Sequence, residues 1–250
     1  MIQLDPQLTN LTTLSNVVHV EREPEAQRLQ EETTMDATDV FATHRKGVWF
    51  SLRAASGQAS VFSHQCRKTV KTPGLIEQLH EEHYDVYIAE TFDYCGIGLA
   101  HLIAPKALIT TSSTSLFDIT SLQLGVPVAP NYFPEFAGMR PHSLWDRIKN
   151  LDWFLGSTAF MYIYQYHCEQ EFRQIFGSSF PAFSDLIADS AYHFTDSEPL
   201  LELARPTLRK VIAIGGLGAN DPAPLSKNGV IYGNSKVKRS KILTNHKLIA

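Results

Sequence analysis

The chain of 250 residues is poor in cysteine and has no long apolar run, and both absences exclude classes of protein. Its cysteines, Cys66, Cys95 and Cys168, are widely spaced and form no CxxC pair, so the sequence predicts neither a zinc site nor a disulfide framework. No stretch reaches the roughly 18 apolar residues of a membrane span. The first residues also lack the basic segment and apolar run of a secretion signal. The sequence therefore predicts neither a signal peptide nor an anchor.

The common signatures of catalysis and nucleotide binding are missing as well. There is no G-x-S-x-G, Walker A or HExxH motif. The stretch "IGGLGAND" (214–221) lacks the third glycine of a dinucleotide site, and Pro222 and Pro224 forbid the helix that such a site needs. A net charge of −4 argues against a nucleic-acid surface. Residues 222–250 carry six Lys or Arg and no acid, which predicts a separate, basic, disordered tail.

Apolar strands alternate with helical patterns through the rest of the chain. The strand-like segments are 16–20, 84–90, 106–110, 191–197 and 210–216, and the helix-like ones are 23–34, 71–83 and 96–103. Thr72 and Pro73 resemble an N-cap and a first helical residue, and Ser143 with Asp146 forms a capping box ahead of a long helix. Residues 35–60 favour no element. The alternation predicts an α/β fold with a parallel sheet and helices on both faces.

Polar side chains follow two of these strands. Glu90 and Asp93 come directly after one strand, and a hydroxyl cluster (110–115) follows the next. Ligands of parallel sheets bind beyond the carboxyl ends of the strands, so both groups are candidate site residues. Helix capping or solvent contact is the commoner role for such carboxylates, and a polar loop is the commoner one for the hydroxyls. None of the ten histidines lies in a recognisable catalytic motif, and we interpret His101 as a structural residue of the helix.

The aromatic stretch Trp153–Tyr166 carries no charge. A buried core helix is the simpler interpretation of this composition. Contact with a membrane surface or an apolar ligand is the alternative.

Three blocks carry a family resemblance: "YDVYIAETFDYCGIGLAHLI", "SLQLGVPVAPNYFPE" and "HFTDSEPLLELARPTLRKVIAIGGLG". They resemble the amino-terminal half of animal UDP-glucuronosyltransferases, nematode members in particular, from about Val17 to Asp221. The resemblance implies a Rossmann-like GT-B amino-terminal domain that binds a lipophilic acceptor. It also implies inverting sugar transfer from a UDP-sugar such as UDP-glucuronate, without a metal or other cofactor, and an endoplasmic reticulum membrane location for the full-length family.

By position in the family, Glu90 matches the acidic partner of a catalytic histidine, with Asp93 as the second candidate. Thr111, Ser112 and Ser113 match a loop that approaches the donor sugar. Phe92 and Tyr94 would line or border the acceptor pocket. These roles are implied by the resemblance alone.

The family's first strand and histidine-bearing loop lie ahead of the matched segment, and its UDP-binding signature lies after it. We therefore expect residues 1–16 to be poorly defined, 17–221 to form an acceptor domain without its first strand, and the chain to be inactive by itself. The alternative is a non-catalytic small-molecule-binding or regulatory partner of full-length relatives, and a third reading is an unstable fragment with an exposed sheet edge.

Overall fold

The computed structural model describes residues 2–3, 18–33, 47–131 and 142–217. They lie almost wholly within one compact unit, Met1–Gly216. The predicted basic tail (222–250) and most of the segment 1–16 lie outside the described residues, so both stay predictions.

Thirteen elements occur among the described residues. In chain order they are β1 (Ile2–Gln3), β2 (Val18–His19), α1 (Pro24–Thr33), α2 (Gly47–Val70), α3 (Leu75–Glu81), β3 (Val86–Glu90), α4 (Tyr94–Ile103), β4 (Ala107–Ser112), α5 (Asp118–Leu124), α6 (Leu144–Phe176), α7 (Phe183–Ala188), β5 (Tyr192–Thr195) and β6 (Val211–Ala213).

The main sheet has four parallel strands in the order β3-β4-β5-β6. Its register pairs Glu90 with Thr111 and Ser112 with Thr195, so the carboxyl ends of three strands meet at one edge. The strands β1 and β2 form a separate parallel pair. A parallel sheet flanked by helices confirms the predicted Rossmann-like α/β class.

The two faces of this sheet differ in their covering. The four strands lie side by side in chain order. Right-handed crossovers between such strands all place their connecting helices on the same face of the sheet. On that face Ala89, Thr110, Ser112, His193 and Thr195 are buried. The opposite face presents four exposed apolar side chains in the described part of the chain: Val86, Ile88, Tyr192 and Ile212.

The core lies between the covered face and the long helices α2 and α6, which pack along each other. The predicted capping box of α6 is present: the Ser143 hydroxyl accepts from the Asp146 N–H, and the Asp146 carboxylate accepts from the Ser143 N–H. None of the described helices is long and apolar enough to cross a bilayer.

One local prediction was wrong, and one segment without a prediction is helical. The N-cap of α3 is Gly74 rather than Thr72, because Thr72 turns its hydroxyl back to the Lys68 carbonyl at the end of α2. Gly74 adopts a φ of 75°, which favours glycine. Residues 47–60, for which the sequence favoured no element, belong to α2. Small and polar residues hide the 3.6-residue period there.

The structure contains one disulfide, where the sequence had predicted no disulfide framework. Cys66 of α2 and Cys95 of α4 form a disulfide with their Cα atoms 5.5 Å apart, while Cys168 is free and buried. Twenty-nine positions separate the bonded cysteines, and only the packing of α2 beside α4 brings them together. Spacing rules detect local pairs and miss such a contact.

Candidate functional site

Glu90 is the last residue of β3 and the best-positioned carboxylate of the candidate site. Its Oε1 accepts the Ser113 N–H at 3.2 Å, and its Oε2 accepts the Thr111 hydroxyl at 3.5 Å. Burial raises the pKa of the Glu90 carboxyl, and hydrogen bonds from the Ser113 N–H, the Phe92 N–H and the Thr111 hydroxyl oppose this rise. The β4 loop therefore holds a half-buried carboxylate in one orientation at the carboxyl edge of the sheet.

Asp93 lies three residues further on and serves as the N-cap of α4. Its Oδ1 accepts the Cys95 N–H at 3.1 Å, which is the ordinary capping role of such a residue. Burial raises the pKa of the Asp93 carboxyl, and the nearby Glu90 carboxylate raises it further. Asp93 is thus committed to a structural hydrogen bond, whereas Glu90 caps no helix.

A cavity of about 450 Å³ opens along the edge of β3 that has no partner strand in the described part of the chain. Glu90 and Asp93 both line it, together with apolar and aromatic groups: Phe62, Tyr87, Ile88 and Leu99. The Cys66–Cys95 disulfide forms part of the same wall. Burial, with a smaller contribution from Asp93, raises the pKa of the Tyr87 phenol to about 12, so this group is a neutral hydrogen-bond donor. Such a mostly apolar cleft with a few polar groups suits a small lipophilic molecule.

The aromatic residues Phe92 and Tyr94, expected to line or border the acceptor pocket, are not in the wall of this cavity. Tyr94 is fully buried in the core, where its ring contacts those of Tyr164 and Phe183. Phe92 is half-buried, with its ring 6.0 Å from the rings of Phe62 and Tyr164. Neither side chain lines the cavity beside Glu90. Phe62 lines the cavity, and Phe92 packs behind it.

The hydroxyl side chains at the end of β4 point alternately to the two faces of the sheet. Thr111 and Ser113 lie beside Glu90, as described above. The Ser112 side chain points to the covered face, where its Oγ lies 2.9 Å from the Thr91 Oγ1 and 3.2 Å from the His193 Nε2. Ser112 is therefore buried and belongs to a network that the sequence did not predict.

His193, in the middle of β5, is the centre of that network and is fully buried. Ser190 donates to the Ile187 carbonyl, and Thr110 donates to Ser190. The His193 Nδ1 lies 2.9 Å from the Thr110 Oγ1, and its Nε2 lies 3.2 Å from the Ser112 Oγ. With the Thr110 hydroxyl donating to Ser190, the tautomer that fits has Nδ1–H donating to Thr110 and Nε2 accepting from Ser112.

Burial, helped by Lys210, lowers the pKa of His193 to about 4, so the imidazole is neutral near neutral pH. The network thus locks the carboxyl ends of β3, β4 and β5 together below the candidate site. A histidine alternating with threonine on one strand face, His193 and Thr195, was the only signal for it in the sequence.

No histidine lies within hydrogen-bonding distance of Glu90 or Asp93 among the residues that the structure describes. His101 is exposed and contacts the Phe180 ring edge-on, which agrees with a structural role. Within the same residues, no group of three His, Cys, Asp or Glu side chains could hold a metal ion.

Comparison with known proteins bears on this arrangement. A model of the family described as "UDP-glucoronosyl and UDP-glucosyl transferase" matches residues 2–239, beyond the range Val17–Asp221 to which the resemblance had been traced. The Caenorhabditis elegans protein ugt-48, whose name assigns it to the UDP-glucuronosyltransferases, is 32% identical over 63% of this chain and 30% of its own length.

Human UDP-glucuronosyltransferase 3A2 is 28% identical over 61% of this chain and 29% of its own length. Rat 2-hydroxyacylsphingosine 1-beta-galactosyltransferase is 28% identical over 67% of this chain and 31% of its own length. The chain therefore spans about a third of the length of these relatives. No solved structure matches it significantly.

Proposed function

Because the chain belongs to the UDP-glucuronosyl and UDP-glucosyl transferase family, we propose that it forms the acceptor-binding side of an inverting glycosyltransferase. In the whole protein, a histidine takes the proton of a lipophilic acceptor's hydroxyl and the Glu90 carboxylate stabilises the imidazolium that forms. The acceptor oxygen bonds to the sugar carbon as the bond from that carbon to UDP breaks. An endoplasmic reticulum membrane location belongs to the same proposal.

One observation carries this proposal: the oriented Glu90 carboxylate lies in the wall of an apolar cavity at the carboxyl edge of the sheet. A carboxylate held by a backbone N–H and a hydroxyl has a free lone pair for an imidazole or an acceptor hydroxyl. The exposed Ser113 and the half-buried Thr111 accompany it at the same edge. A UDP-sugar is the co-substrate that the family implies.

A second function is favoured by the same cavity. In this second function, the 250-residue chain binds acceptor-like molecules in the cavity without turning them over. It then acts as a non-catalytic binding or regulatory partner of full-length relatives. We expect no glucuronide from UDP-glucuronate and 1-naphthol with this chain alone, and product formation would contradict the inactive state.

Binding of phenols by the full chain tests both readings. We expect 1-naphthol and 4-methylumbelliferone to bind in ligand-observed NMR, and Glu90→Ala to weaken binding about tenfold, because a hydrogen bond to a charged group is lost. Glu77→Ala, on the exposed side of α3, is the matched control and should bind like the parent. No binding of either phenol would overturn the acceptor site, and equal binding by Glu90→Ala would overturn the role of Glu90.

A further inference from the structure

The described residues in the wall of the cavity at β3 carry negative charge only. Glu90 and Asp93 supply two carboxylates, and no Lys, Arg or His is among these lining residues. Neither carboxylate forms an ion pair with a basic side chain in the described part of the chain. The cavity therefore presents a negative potential to whatever enters it, which attracts cations and repels anions.

The two carboxylates are close enough to repel each other. Burial raises the pKa of the Asp93 carboxyl, and the Glu90 carboxylate raises it further. Asp93 caps α4 through its Oδ1 alone, which leaves its Oδ2 without a hydrogen-bond donor among the described residues. A cation bound in the cavity would relieve the repulsion, and a cation that carries N–H groups would also supply the donor that this oxygen lacks.

The rest of the wall selects the kind of cation. Phe62, Tyr84 and Tyr87 place aromatic rings around the carboxylates, and aliphatic side chains complete the lining. Aromatic faces attract organic cations, and an apolar lining binds a hydrocarbon body. A metal ion such as Ca²⁺ takes about six or more oxygen ligands, and no group of three His, Cys, Asp or Glu side chains could hold one among the described residues. The wall thus fits an organic cation better than a metal ion.

We propose that the cavity selects molecules that carry a protonated amine on an apolar body, and that the carboxylates of Glu90 and Asp93 hold the ammonium group. The inference rests on the proposed function, because it names the ligand class of the same acceptor cavity. An ammonium group has up to three N–H donors, and the Asp93 Oδ2 accepts one of them. The rings of Phe62 and Tyr87 contact the apolar body of the ligand.

A series of ligands with matched shape tests the preference for positive charge. 1-Naphthylmethylamine is protonated near neutral pH, 1-naphthylmethanol is neutral, and 1-naphthoate is an anion. In isothermal titration calorimetry with the full chain, we expect the amine to bind about tenfold more tightly than the alcohol, and the carboxylate to bind most weakly. An amine that binds no better than the alcohol would overturn the inference and leave the acceptor site standing. If none of the three binds while the phenols do, the inference also fails, and if the phenols fail as well, the proposed function falls with it.

Isosteric variants test whether the two carboxylates cause this preference. Glu90→Gln and Asp93→Asn each remove one charge but keep an oxygen for the N–H of Ser113 or Cys95, and asparagine is a good N-cap. The preference is the ratio of the Kd values of alcohol and amine within one variant, so weaker binding of both ligands does not alter it.

We expect each single variant to reduce this ratio about threefold, and Glu90→Gln/Asp93→Asn to bring it to about one. Glu77→Gln, on the exposed side of α3, is the matched control and should keep the ratio of the parent. A preference for the amine that persists in the double variant would place the ammonium group away from these carboxylates and overturn the inference.

Discussion

Glu90 and Asp93 show at the residue scale how neighbouring carboxylates acquire different roles. Asp93 lies at the start of α4 and is bound to the Cys95 N–H, while Glu90 ends β3 and is held by the β4 loop. Burial raises the pKa of both carboxyls, and the nearby Glu90 carboxylate raises the pKa of Asp93 further. The simpler capping interpretation therefore applies to Asp93, and Glu90 stays available for chemistry.

Gly98 of α4 allows a close approach between helices. A Cβ there would lie 2.4 Å from the Phe172 ring of α6, a ring packed against Phe180 and Phe183. We expect Gly98→Ala to lower the free energy of unfolding by about 1–3 kcal/mol, the usual cost of overpacking a core.

Gly96 on the same helix is the matched control for this change. A Cβ there meets Ala89 at an ordinary 3.6 Å, so Gly96→Ala should be neutral or stabilising through helix propensity. Urea denaturation of both variants makes the comparison, and equal stabilities would refute the close-packing argument.

His193 makes the stability depend on pH. Its pKa is about 4 in the folded chain against 6.5 when exposed, so the unfolded chain binds the proton more readily. The stability is complete above pH 6.5 and falls as the pH drops toward 4, by about 3 kcal/mol in total for this group. Glu90 and Asp93 have the opposite effect on the pH dependence of stability, because their pKa values are raised in the folded chain. Protonation at low pH removes the cost of burying their charges and so stabilises the fold.

Comparison of His193→Gln with the parent isolates this contribution. Glutamine keeps one donor and one acceptor for Thr110 and Ser112 but does not titrate. Urea denaturation between neutral pH and pH 4.5 should show the gap between the two proteins closing as the pH falls, whereas the exposed His80→Gln should follow the parent. A constant gap would show that His193 is not buried in the neutral form.

The helices α2, α4 and α6 are joined by specific bonds at the scale of elements. Arg67 of α2 makes a bidentate ion pair with Glu171 of α6, and the Cys66–Cys95 disulfide ties the same turn of α2 to α4. Gln65 also accepts the Glu23 N–H just ahead of α1. One turn of α2 thus connects three other segments behind the cavity.

Removal of the disulfide measures how much this junction contributes. Closing a loop with a sequence separation of 29 removes chain entropy from the unfolded state. We therefore expect Cys66→Ala/Cys95→Ala to be less stable by about 3–4 kcal/mol. Dithiothreitol should lower the stability of the parent by a similar amount and leave the double variant unchanged. A parent that is insensitive to the reductant would contradict the prediction.

At the scale of the whole molecule, the described part of the chain covers the two faces of its sheet unequally. Strands that follow chain order, joined by right-handed crossovers, leave Val86, Ile88, Tyr192 and Ile212 exposed on one face in the described residues. The edge of β3 that pairs with no other described strand borders the cavity that contains Glu90. The family match and the cavity are the two observations on which the proposal of an acceptor-binding unit rests.

The sequence alone determined the α/β class, the family, the capping box at Ser143 and the position of Glu90 at a strand end. Each of these depends on local period, local hydrogen bonding or a contiguous motif, which short stretches of chain contain in full. Only the tertiary structure decided the Cys66–Cys95 disulfide, the burial of Tyr94 and the partners of His193. These depend on contacts between segments far apart in the chain, whose meeting is set by packing.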